Sequence, residues 1–173
     1  MKKIDILILS VMTCLFLNAQ ETPTSKVVNM TVPKGAIKLN KEEVKSYADR
    51  KFGNSEITSV NTQNLYSINE LLMAFWDLKV SEGNKKSLEA IKSEALELYK
   101  LDKNIIVDDA SIKEANNNKI LVISYKNKDV NYYRFISEYR NNQAISGLIQ
   151  FTASDKNQSK AILKEILSSI KFK

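Results

Sequence analysis

The chain has 173 residues, with 26 lysines and arginines against 20 aspartates and glutamates, a formal charge of +6, no histidine and one cysteine. The absence of histidine removes the commonest general base and the commonest metal ligand, leaving only lysine-assisted or paired-carboxylate versions of the familiar hydrolytic machinery. The basic residues are mostly lysines spread among glutamates, with arginine only at Arg50, Arg134 and Arg140, which describes a solvated surface and not a nucleic-acid track.

The first residues, Met1-Lys2-Lys3, precede an apolar run from Ile6 to Leu17, followed by Asn18-Ala19-Gln20. A charged start, a short apolar core and a small residue at the break are what export machinery reads, so residues 1–19 are expected to be a signal peptide cleaved after Ala19. The apolar run falls short of the roughly 20 residues that a membrane-spanning helix needs. Cleavage removes Cys14, so the mature chain is expected to lack disulfides, thiol catalysis and cysteine metal sites, and no transmembrane segment remains. Roughly 150 residues are left, enough for one domain with a real core. Residues 20–25 carry Pro23 and read as a flexible tether. Residues 26–173 are expected to form a single domain, periplasmic or secreted.

Residues 26–32 (KVVNMTV) are β-branched and end at Pro33-Lys34-Gly35, which predicts a strand and a turn. Asn40 stands three before Glu43, a capping box, and Val44, Tyr47, Ala48 and Phe52 recur at helical spacing until Gly53. Residues 54–64 are polar and read as loop. Two β-rich runs, NLYSI and LLMAFWDLKV, flank Asn69-Glu70 and predict a hairpin. Leu88, Ile91, Ala95 and Leu98 then repeat at three and four, the stripe of an amphipathic helix reaching about Leu101. Its other face mixes both charge signs, so the stripe is expected to be core.

Residues 110–115 suggest a short strand before Asn116-Asn117-Asn118. Three strands follow at about 119–126, 131–140 and 144–153, joined by short polar links that force antiparallel neighbours. Gly147 inside the last of them marks a bulge or a close approach. Asp155 with Gln158 offers a second capping box, ahead of a helix that buries Ala161, Ile162, Ile166, Leu167 and Ile170. The pattern is α+β: a central antiparallel sheet flanked by helices.

The opening strand ending in Val32-Pro33-Lys34-Gly35, the later meander, Gly147-Leu148-Ile149-Gln150-Phe151, and the closing Ile166-Leu167-Ser168-Ser169-Ile170-Lys171-Phe172 together resemble the PsbP and DcrB-like group of small α/β/α sandwich domains. The resemblance spans most of the mature chain. It implies an exported accessory or binding protein and brings no catalytic residue with it.

No residue pattern here carries chemistry. Asp108-Asp109 are adjacent on an extended segment, so they point to opposite sides and seldom share a proton or a metal. No nucleophile elbow, phosphate loop or metal-ligand spacing occurs, and no cofactor is expected. The most suggestive cluster is Tyr132, Tyr133, Arg134, Tyr139 and Arg140. Alternation puts Tyr132, Arg134, Ile136, Glu138 and Arg140 on one face and Tyr133, Phe135, Ser137 and Tyr139 on the other, core-like face. Tyrosine and arginine are enriched at binding hot spots, so an exposed strip of Tyr132, Arg134 and Arg140 is the candidate binding surface, with Trp76 as a further candidate platform. The expected function is that of a non-enzymatic exported protein that binds another envelope protein or a small ligand. The alternatives are a carboxylate-only hydrolase and a structural or stress-related envelope protein.

Overall fold

The computed structural model describes residues 25–53, 57 and 64–173, so the expected signal peptide at 1–19, all but Ser25 of the expected tether at 20–25 and most of the expected loop at 54–64 lie outside the described residues. In chain order the elements are β1 (Val28–Asn29), β2 (Ile37–Leu39), α1 (Lys41–Phe52), β3 (Asn64–Ile68), β4 (Leu71–Lys79), α2 (Leu88–Leu101), β5 (Ile105–Ala115), β6 (Asn118–Asn127), β7 (Val130–Ser137), β8 (Gln143–Phe151), α3 (Lys156–Ser169) and β9 (Lys171–Phe172). Seven strands form one sheet in the order β2-β3-β4-β8-β7-β6-β5, every neighbouring pair antiparallel. β1 and β9 form a separate two-stranded ribbon.

The turns explain the antiparallel order. Asn69-Glu70, Asn116-Asn117 and Asn141-Asn142 all have positive φ, the conformation a two-residue hairpin turn needs and asparagine tolerates better than other side chains. At α1 the predicted capping box is present: Asn40 Oδ1 accepts from the Glu43 N–H and the Glu43 carboxylate accepts from the Asn40 N–H. Gly53 closes that helix at φ 68°, in the left-handed region. Ser87 caps α2 through the Ala90 N–H.

Side-chain alternation divides the sheet between two cores. On one side, Met73, Phe75, Ile120, Val122, Tyr133, Phe135, Ile145, Ile149 and Phe151 pack against Ile162, Leu163, Ile166 and Leu167 of α3, against Ile170 just beyond it and against the opening segment, Val27 to Val32. On the other, Leu65, Leu72, Ala74, Leu121, Ile123, Tyr125, Tyr132 and Leu148 lie with Val44 and Ala48 of α1, Leu88 of α2, and Ile57. The architecture is a three-layer α/β/α sandwich built on one sheet.

Several expectations need correction. The opening strand covers only Val28–Asn29 of 26–32, because its partner β9 is equally short. β2 and β9 were not foreseen, and β5 runs from Ile105 and not from Ala110. β7 stops at Ser137, short of Arg140. Asp155 occupies the N-cap position of α3, yet its side chain makes no cap hydrogen bond; its carboxylate instead accepts from the Thr152 hydroxyl at 2.5 Å and lies 3.5 Å from Lys51 Nζ.

Candidate functional site

The strip anticipated on β7 is not continuous. Tyr132 is 3% exposed, stacked on Tyr125 with ring centroids 5.0 Å apart, and Tyr125 in turn meets Tyr99 of α2 at 4.7 Å. Two buried tyrosines thus stack beneath the half-buried Tyr99 of α2, where aromatic area drives packing and not recognition. Arg134 is exposed on the same face and lines a groove of about 190 Å³ between α2 and the sheet, together with Ile91, Glu94 and Leu98. Trp76 is half-buried against this same core, opposite Ser146 in register and two strands from β7.

Arg140 goes elsewhere, because the extended run ends at Ser137 and the alternation ends with it. Its guanidinium donates to the Asn117 carbonyl at 2.7 Å and to Glu138 at 3.3 Å, and it lies 4.8 Å above the Phe172 ring. Those contacts tie the β5–β6 turn to β9, which is a structural role. Of the four candidates, the fold therefore brings Arg134 and Trp76 to one face, buries Tyr132 beneath α2, and carries Arg140 to the far end.

A larger concavity lies on the opposite face, between α3 and the end of the β5–β6 hairpin. It encloses about 630 Å³, within the range of ligand pockets. Leu163 and Leu167 form its base, Ala115 and Ala161 its apolar walls, and Lys113, Lys160 and Lys164 its rim. Glu114 is the only carboxylate in its lining. Lys113 pairs in register with Ile120, a residue of the α3-side core, so it shares that face. None of the three lysines has an ion-pair partner among the described residues. Asn116 fixes the groove's end by donating its side-chain amide to the carbonyls of Ser168 and Ile170.

Among solved structures, the solution structure of cyanobacterial PsbP (CyanoP) from Synechocystis sp. PCC 6803 is similar at a TM-score of 0.53 and 8% identity, over 84% of this chain and 86% of that one. The chain has the PsbP-like fold. PA94 from Pseudomonas aeruginosa, a protein of unknown function, is similar at a TM-score of 0.45 and 9% identity, over 82% of this chain and 88% of PA94. No family model and no curated protein matches the chain.

Within the PsbP-like fold, the lysine-rimmed groove is the feature that sequence reading missed. Lys156, Lys160 and Lys164 recur at four-residue spacing, a lysine stripe along one side of α3 that was legible. Lys113 and Ala115 could not be added to it, since their place depends on where β5 lies in the sheet. Among the described residues no three carboxylate, histidine or cysteine side chains gather to hold a metal, and no helix is long and apolar enough to cross a membrane.

Proposed function

We propose that this protein is an exported, non-catalytic accessory or binding protein of the bacterial envelope, and that it binds through the groove between α3 and the β5–β6 hairpin. One observation carries the reading: the groove joins an apolar base to a rim of three ammonium groups with no ion-pair partner among the described residues, a combination that selects a partially apolar, anionic occupant. The leader pattern of residues 1–19 supports export. Against carboxylate hydrolysis stands the composition of the concavities. Two acids roughly 5–10 Å apart across a cleft are required, whereas three concavities among the described residues, the α2 groove with Glu94, the α3 groove with Glu114 and one beside Phe52 and Val130 with Asp129, have one each.

Two measurements test the proposal. N-terminal sequencing of protein from the envelope or medium fraction is expected to begin at Gln20; a full-length product confined to the cytosol overturns export. Hydrogen exchange of the mature protein with and without envelope extract is expected to show added protection at 113–116 and 157–168. Protection confined to the face of Trp76 and Arg134, or none, overturns the assignment of the groove.

A further inference from the structure

We infer that the occupant of the α3 groove is an extended, acidic peptide segment that adds to the free edge of β5 as a further strand. This rests on the reading of the groove as the binding site and names its partner. β5, Ile105–Ala115, is the longest strand and ends the sheet; among the described residues its only strand partner is β6. In an antiparallel ladder every second residue of such a strand turns its N–H and C=O outward, and that unpaired row is a template for another chain. The opposite edge, β2, offers only Ile37–Leu39.

The edge is bulged in its first half only, while Asp109, Lys113 and Glu114 charge the rest. The register breaks between Val107 and Asp109, leaving Asp108 as the extra residue of a bulge flanked by another carboxylate. Bulges and charges are the means by which natural edges discourage pairing. From Asp109 to Ala115 the register is unbroken, so the regular part of the edge is the part that runs into the groove lining at Lys113 to Asn116.

An added strand directs alternate side chains to opposite faces of the sheet. Those on the α3 side would enter the groove above Ala115, Ala161, Leu163 and Leu167 and come within reach of Lys113, Lys160 and Lys164. Three ammonium groups around one carboxylate favour a segment that alternates acidic with apolar residues. A second copy of this chain at the same edge would instead oppose two such lysine sets, which like-charge repulsion disfavours. Main-chain hydrogen bonds supply affinity in recognition of this kind and the side-chain pockets supply selectivity.

The test uses the mature protein and end-blocked, fluorescein-labelled decapeptides: alternating glutamate and valine, alternating lysine and valine, and the glutamate–valine peptide with a central proline. The glutamate–valine peptide is expected to bind, more weakly as salt rises; the lysine peptide is expected not to bind, and the proline peptide to bind at least tenfold more weakly. Hydrogen exchange is expected to show new protection at 110–115 but not at 105–108. K160E/K164E, at exposed positions of α3, should weaken the acidic peptide at least tenfold while leaving the urea midpoint in place. Equal binding of the straight and proline peptides, or protection at 157–168 without 110–115, overturns strand addition while leaving the groove as a binding site. Occupation by dodecanoate with no peptide binding gives the groove to an anionic amphiphile and overturns the inference. So does a concentration-dependent dimer that protects 110–115 without peptide.

Discussion

Gly147 lies beneath two aromatic rings of the α3-side core, where Phe75 and Phe135 sit with centroids 6.1 Å apart on the flanking strands. A Cβ added there would fall 2.5 Å from Phe135 Cε1 and 2.9 Å from Phe75 Cδ1. Both rings are fully buried and have nowhere to retreat. Gly147→Ala is therefore expected to cost about 1–3 kcal/mol by overpacking, read as a fall in the urea midpoint; an unchanged midpoint refutes it. A second residue-scale prediction concerns Asp155. Burial alone would raise its carboxyl, but the Thr152 hydroxyl and the Lys51 ammonium more than offset that and hold its pKa below the ordinary value of 3.8. For Lys51, burial lowers the pKa, but the Glu70 hydrogen bond, Tyr47 and Asp155 outweigh it and the pKa rises. A depressed carboxyl contributes stability that is present above its unfolded pKa and lost as pH falls through its folded one. Asp155→Asn should thus destabilise by about 1 kcal/mol at pH 7, with the gap from wild type closing below about pH 4. A gap that stays constant between pH 7 and pH 2.5 in urea titrations would show that charge is not the cause.

Among the elements, the β1–β9 ribbon joins the two ends of the described chain. The Lys173 N–H donates to the Val27 carbonyl at 3.1 Å, Lys173 Nζ to the Ser25 carbonyl at 2.6 Å, and the Ser25 hydroxyl to Asp77 on β4 at 2.6 Å. Ile170, fully buried, leads into β9 and accepts from both Asn116 and Asn118. Deleting residues 170–173 removes that side chain and frees the opening segment, so a loss of about 2–5 kcal/mol is expected; an unaltered thermal midpoint would exclude this closure. The ribbon also shows what a single sequence conveys about elements. Helices were readable wherever cap and stripe agreed, as at Asn40 to Gly53. Hairpins were readable wherever an asparagine turn separated two apolar runs. β2 and β9 were not, because strands of three and two residues have no period to detect, and they exist only through their partners. The same limit governed the candidate strip. Alternation placed Arg134 and Tyr132 on one face correctly, but whether that face is wet depends on where α2 lies, and α2 covers Tyr132 and leaves Arg134 out.

At the scale of the molecule, the joining of the early hairpin to the late meander is the step that unites the fold. β4 pairs with β8 from Leu72 opposite Gln150 to Lys79 opposite Gln143, joining segments more than sixty residues apart in sequence. Every inner strand then feeds both cores: Met73 and Phe75 face α3 while Leu72 and Ala74 face α1. Neither core can open without exposing strands that the other also needs, so unfolding is expected to be a single cooperative transition. Trp76, the only tryptophan, reports from the α1/α2 side. A thiol-reactive dye on an Ala161→Cys variant of residues 20–173 would report from the exposed side of α3, in a background with no other cysteine. In urea, tryptophan emission, dye emission and far-ultraviolet circular dichroism are expected to share one midpoint and one slope of about 2 kcal/mol/M. Dye loss at lower urea than tryptophan loss would mean that α3 and its groove detach from a sheet that stays folded.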